Sequence, residues 1–151
     1  MKAAKKKPER PIRTRGLTHV ALAVRDPQRS LEFYAALVGA KKVYEDPGSI
    51  QAQTPGTHDV LVFERDARRS GRHGGIAHFG FRLVTPVPVA DLVARVAAAG
   101  GTVQESGEFV PGAPYVFCSD PDGYVVELWY EAPTPYDPKP APRRRKVTAG
   151  R

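Results

Sequence analysis

Residues 17–39 read LTHVALAVRDPQRSLEFYAALVG, a stretch that contains the signals of a strand and of both ends of a helix. Larger apolar residues alternate with small or polar ones over Leu17–Val24, which is the period of a half-buried strand. Asp26 followed by Pro27 is typical of a helix N-terminus, because the aspartate caps free N–H groups and proline fits the first helical position. Apolar residues then recur at helical spacing until Gly39, which predicts a strand followed by a helix.

The same pattern returns later in the chain. Residues 77–84, AHFGFRLV, alternate again, and a second helical pattern ends at Gly100-Gly101. His19 and His78 are equivalent at an offset of 59 residues. Short strand patterns follow each helix, so both halves predict the order strand, helix and three strands.

Two such units predict an α+β fold. We expect two βαβββ modules, about 16–66 and 76–131, which form a curved, mostly antiparallel sheet cup within one domain, 16–131. The charged residues between the modules are expected to be a linker. In the second module DPDG, 120–123, predicts the turn of the last hairpin.

The net charge of +7 is unevenly distributed. Residues 1–15 carry +6 and residues 132–151 carry +5, so the domain between them carries −4. The first segment predicts a basic disordered tail and the second a Pro/Arg-rich tail. Because the positive charge lies only in these tails, a nucleic-acid partner is not expected.

The remaining composition indicates a cytoplasmic protein. A single cysteine, Cys118, excludes an intrachain disulfide framework. No apolar run is long enough for a membrane span, and the basic start lacks the apolar core of a secretory signal.

Three side chains on the cup face are the candidate metal ligands. The helices require the apolar strand faces, which leaves His19 and His78 on the opposite face. Glu127 lies in the last strand, VVELWY, where a carboxylate is costly to bury unless it is paired or bound to a metal. Two imidazoles and one carboxylate suit Fe, Mn, Ni or Zn with open positions for substrate. Each residue alone also fits an ordinary structural role, and the repeat equivalence of the histidines favours the metal site.

The stretches LTHVALAVRDPQRSLEFYAALVGAKKV, AHFGFRL and DPDGYVVELWYE together resemble the vicinal-oxygen-chelate superfamily, which includes glyoxalase I, extradiol dioxygenases and bleomycin resistance proteins. The resemblance implies that His19, His78 and Glu127 ligate one divalent metal ion. It also implies a homodimer and a small-molecule substrate bound through adjacent oxygens. The expected activity is that of a dioxygenase or a lyase/isomerase. The alternative is a non-catalytic protein that binds an antibiotic and confers resistance.

Two positions depart from the patterns of those enzymes. Alignment of the two modules places Leu61 opposite Glu127, where glyoxalase I has a fourth ligand, unless a bulge brings Asp59 there. Phe117 occupies the position of a tyrosine found in extradiol dioxygenases. Tyr115, two residues earlier on the same strand face, is the expected substitute and is assigned a catalytic role beside Glu127.

Three further residues are candidates for substrate binding. Arg82 shares the face of His78 and would hold a substrate carboxylate or phosphate; the alternative is an ion pair with a neighbouring acid. Phe63 and Trp129 would stack on a substrate ring; the alternative is packing within the sheets.

Overall fold

A computed structural model of the chain describes residues 15, 17–135 and 137. The order strand, helix and three strands occurs twice, as predicted. The elements are β1 (His19–Val24), α1 (Pro27–Val38), β2 (Lys41–Glu45), β3 (Ser49–Gln53), β4 (Val60–Arg65), β5 (Phe79–Arg82), α2 (Val89–Ala98), β6 (Thr102–Glu108), β7 (Pro114–Ser119) and β8 (Val125–Trp129). Most residues of the two predicted tails lie outside the described part.

Each module forms its own four-stranded sheet. The strand orders are β1-β4-β3-β2 and β5-β8-β7-β6. The first strand of each module pairs in parallel with the fourth, and the other pairs are antiparallel. The sheets are therefore mostly antiparallel and open, which agrees with the predicted cup. The strands that begin at or beside the two predicted histidine ligands, β1 and β5, are edge strands.

The first helix has the predicted ends. The Asp26 side chain accepts a hydrogen bond from the backbone N–H of Gln28 at 3.0 Å, and Pro27 is the first helical residue. Gly39 ends the helix with a φ of 73°, a left-handed conformation that costs glycine little. Neither helix of the described chain is long and apolar enough to cross a membrane.

The side chain of Tyr34 joins the two modules. It is fully buried, and its ring stacks on Phe63 of β4 at a centroid distance of 5.3 Å. It also lies 6.5 Å and 6.3 Å from the rings of Phe79 and Phe81 in β5. The Tyr34 hydroxyl donates a hydrogen bond of 2.9 Å to Oδ2 of Asp120, which belongs to the second module. One helix of the first module therefore packs against both sheets.

The turn that begins at Asp120 strengthens this junction. The Asp120 carboxylate accepts hydrogen bonds from the backbone N–H groups of Asp122 and Tyr124, both at 2.9 Å. Asp122 accepts one from the backbone N–H of Arg25 at 3.1 Å. The Tyr124 hydroxyl donates to the carbonyl oxygen of Ala23 at 2.8 Å. The DPDG turn is thus bonded to the end of β1 and the start of α1.

We expect Tyr34→Phe to lower the free energy of unfolding by about 1–3 kcal/mol, because it leaves one buried carboxylate oxygen of Asp120 without its donor. Burial raises the pKa of Asp120, although three hydrogen bonds oppose this rise. The folded state therefore favours the protonated acid, and the loss should shrink as the pH falls through the pKa of Asp120. Denaturant titration across the acid range measures both effects. Tyr44→Phe, at an exposed position, is the control; equal losses in the two variants would contradict this account.

Cys118 is expected to be unreactive in the folded protein. It is completely buried, and burial raises the pKa of its thiol to about 11. Because the thiolate is the reactive form, a thiol reagent at mildly alkaline pH should label the chain only after denaturation. Rapid labelling of the native chain, followed by mass spectrometry, would show that this description of the core is wrong.

Candidate metal centre

His78 and Glu127 lie side by side on one face of the second sheet. His78 directly precedes β5, and Glu127 lies in the middle of β8, the parallel neighbour of β5. Nε2 of His78 is 3.3 Å from Oε2 of Glu127. Gly80 is the ladder partner of Glu127, and a Cβ atom there would be 3.1 Å from Oε2. The glycine therefore keeps the space beside the carboxylate open.

The environment of Glu127 favours a bound positive charge. Its side chain is 12% exposed, and His78 is the ionisable neighbour that faces it. Burial raises the pKa of Glu127, and the interaction with His78 only partly opposes this rise. A carboxylate removed from water is stabilised when it ligates a cation. The pair supplies an imidazole nitrogen and a carboxylate oxygen, donors that fit a divalent transition metal.

The third predicted ligand, His19, does not form part of this pair's contacts. His19 is the first residue of β1 and is exposed, on the same face as the exposed Ala21. Among the described residues, no group of three or more His, Cys, Asp or Glu side chains is arranged to hold a metal ion. One chain therefore brings together two of the three predicted ligands, and His19 does not complete a group of three with them among the described residues.

The strand pairing corrects the alignment of the two modules. Ala21 pairs with Val62 just as Gly80 pairs with Glu127, and each stands two residues after its histidine. Val62 is therefore equivalent to Glu127, whereas the prediction placed Leu61 there. The error arises because the turn before β4 is one residue longer than the turn before β8. The position still lacks a carboxylate.

Aromatic side chains extend from the His78–Glu127 pair across the second sheet. The Phe117 ring meets the His78 ring edge-on at 5.0 Å and also contacts the Tyr115 ring at 5.6 Å. The ladder places Phe117 opposite Glu127, and Tyr115 opposite Trp129. The Tyr115 hydroxyl donates to Oε1 of Glu105 at 2.7 Å, an interaction that raises the pKa of Tyr115. Tyr115, which was assigned a catalytic role, therefore lies on the same strand face as Phe117 but two residues further from Glu127.

Arg82 forms an ion pair with a neighbouring acid, which was the alternative to its predicted role in substrate binding. Its guanidinium donates to Oδ1 of Asp137 at 3.0 Å and to the carbonyl oxygens of Glu131 and Ala132 at 3.1 and 2.9 Å. It also lies 5.8 Å from the ring centre of Trp129. These contacts argue against the predicted role in holding a substrate anion. They also attach the beginning of the predicted Pro/Arg-rich tail to the sheet.

The two predicted stacking residues have different surroundings. Phe63 has no exposed surface and stacks on Tyr34, so its predicted contact with a substrate ring is inconsistent with the structure. Trp129 is half-buried and borders Gly80 on the face of Glu127. Sequence reasoning missed the contact between Phe117 and His78, although the shared strand face with Tyr115 was a usable signal. It had no signal for Asp137, which lies in a proline-rich segment.

Comparison with known proteins identifies the family of the chain. A family model described as the glyoxalase/bleomycin resistance protein/dioxygenase superfamily matches residues 16–128. An uncharacterised protein of Pseudomonas aeruginosa is 31% identical over 125 residues, which cover 78% of this chain and 89% of that protein. A probable chloroplastic lactoylglutathione lyase of Arabidopsis thaliana is 30% identical over 133 residues, but the match covers 80% of this chain and only 37% of that protein.

A solved structure supports the fold as well. The fosfomycin resistance protein of Listeria monocytogenes superposes with a TM-score of 0.66 at 19% identity, over 80% of this chain and 96% of that one. At this identity the likeness concerns the fold alone. The family match over residues 16–128 shows that the chain belongs to the glyoxalase/bleomycin resistance protein/dioxygenase superfamily.

Proposed function

We propose that this chain is a metal-dependent enzyme that acts on a small molecule with two adjacent oxygens. The observation that carries the proposal is the His78–Glu127 pair, with 3.3 Å between Nε2 and Oε2 on an open face of the sheet. When bound, a divalent metal would act there as a Lewis acid on the substrate oxygens. A reaction of the lyase/isomerase type is favoured over a dioxygenase reaction by the similarity to a protein named as a probable lactoylglutathione lyase.

The residues around the pair have supporting roles in this proposal. Phe117 packs on the His78 ring and restricts its orientation. Trp129, next to Gly80, provides an apolar wall that excludes water from the carboxylate side. Val62 cannot transfer a proton, and Phe117 lacks a hydroxyl group. Tyr115 therefore remains the candidate for proton transfer, with its hydroxyl held by Glu105.

In this proposal, the third metal ligand is His19 of a second copy of the chain. His19 is exposed on an edge strand, and the His78–Glu127 pair of the same chain has no third donor among the described residues. In a twofold symmetric dimer, His19 of each chain would complete the pair of the other. Such a dimer would contain two equivalent sites.

The first test is metal content. Full-length protein purified without chelator should hold about one metal ion per chain, as measured by elemental analysis. His78→Ala and Glu127→Gln should each weaken metal binding by at least about 100-fold, since even residues that only support a ligand often contribute 10–100-fold. His58→Ala, at an exposed position, is the matched control. Absence of stoichiometric metal from the unaltered chain would leave the non-catalytic binding function, and iron as the resident metal would favour a dioxygenase.

The second test asks whether two chains share the site. His19→Ala and Glu127→Gln homodimers should both lose metal, because every site in them lacks one ligand. A mixed dimer of the two variants, co-expressed with different tags, should regain one intact site of the two. Metal analysis of the doubly purified dimer should therefore give about half an ion per chain. No recovery in a mixed dimer that forms normally would contradict a shared site.

A further inference from the structure

The sequence contains a single tryptophan, Trp129, whose indole lies beside the candidate metal centre. Trp129 is in β8, two residues after Glu127, so the two side chains share one face of the strand. A Cβ atom at Gly80 would be 3.3 Å from both Nε1 and Cδ1 of the indole and 3.1 Å from Oε2 of Glu127. The ring edge that carries the N–H group therefore borders the same space as the carboxylate.

The space beside Gly80 is accessible to a ligand. Gly80 has no side chain, and both Gly80 and His78 are exposed. Nε2 of His78 lies 3.3 Å from Oε2 of Glu127, so the imidazole reaches the carboxylate that borders this space. An oxygen atom that enters beside Gly80 would therefore lie close to the proposed metal ligands and to the indole N–H group.

The indole N–H group has no hydrogen-bond partner among the described residues. The indole nitrogen can donate a hydrogen bond but cannot accept one. Trp129 is half-buried, and tryptophan N–H groups removed from water usually find an acceptor. A ligand oxygen beside Gly80 would supply that acceptor.

The orientation of the indole is restricted by Arg82. Its guanidinium lies 5.8 Å from the centre of the Trp129 ring, and a positive charge is attracted to the face of an indole. The guanidinium is itself held by Asp137 at 3.0 Å and by two backbone carbonyl oxygens. This contact occupies one face of the ring and keeps its N–H edge beside Gly80.

We propose that the indole N–H group of Trp129 donates a hydrogen bond to an oxygen of the substrate. This inference rests on the proposed function, in which His78 and Glu127 hold a metal that takes two adjacent oxygens. Hydrogen bonds to charged acceptors are the stronger ones, so the indole selects substrates in which one of these oxygens carries negative charge. Trp129 is then a catalytic residue, because a fixed donor stabilises negative charge that develops on that oxygen.

Acetohydroxamate is the probe for this hydrogen bond, because it chelates zinc through two adjacent oxygens and one of them is anionic. We expect the full-length chain, labelled with a heavy nitrogen isotope and loaded with zinc, to bind it saturably. The chain has one tryptophan, so its proton–nitrogen NMR spectrum contains one indole signal. Relative to the zinc-loaded chain, the indole proton should move downfield as the hydrogen bond forms.

Two variants separate the donor from the ring that carries it. Trp129→Phe keeps an aromatic ring without the N–H group, and calorimetry should show hydroxamate binding weakened at least about tenfold with unchanged zinc content. Gly80→Ala places a methyl group in the space between the indole and the carboxylate, and it should weaken the probe by a similar factor. Gly48→Ala, directly before β3, is the matched control, because a Cβ atom there makes only an ordinary contact.

The outcomes distinguish this inference from the proposed function. Zinc-dependent binding with an unmoved indole signal, or with equal affinity in Trp129→Phe, would overturn the role of Trp129 and leave the metal centre intact. Loss of zinc from folded Trp129→Phe would show that the indole supports Glu127 instead of the substrate. A chain that binds no zinc would overturn both proposals. The indole signal of the unaltered chain decides the matter even if Trp129→Phe does not fold.

Discussion

The hydrogen bond between Tyr34 and Asp120 is the constraint on which the arrangement of the two modules depends. Both groups are buried, and neither can be hydrated in the folded chain. The phenol has to meet the carboxylate, so the helix of one module is fixed against a turn of the other. That turn leads directly into β8, the strand that holds Glu127 beside His78. The packing of the domain and the geometry of its candidate site are thus linked through one contact.

The same packing explains why the candidate centre contains two ligands rather than three. The apolar faces of both sheets contribute to a single core together with both helices. His78 and Glu127 meet because their strands are hydrogen-bonded neighbours, whereas His19 belongs to a different sheet. The internal repeat places His19 and His78 at equivalent positions of the two modules. These positions come together only if the two sheets pair through the faces that carry the histidines. The proposed dimer would complete that pairing between chains.

Much of this organisation could be predicted from sequence. Alternation around His19 and His78, the Asp26-Pro27 helix start and the DPDG turn depend on local backbone preferences, and all were found as predicted. The register of β4 was not predicted correctly, because the sequence specifies the length of a loop only weakly. One extra residue in the turn before β4 places Val62, not Leu61, at the position equivalent to Glu127. The surroundings of Phe63 and Arg82 depend on residues distant in sequence, Tyr34 and Asp137. Such long-range partners are decided by tertiary packing, which periodicity does not describe.

The turns at the module junction also give the two modules different roles in the contacts that join them. The bonds described there run from the acids and tyrosine of the second module's turn to the first helix and to the end of β1. The corresponding TPGT turn has no acid at the equivalent of Asp120, and α2 offers no tyrosine. A chimaera with two first modules would therefore lack the bonds that hold them together. Although the two halves share one order of strands and helix, their contacts at the junction are complementary, so the halves are not interchangeable.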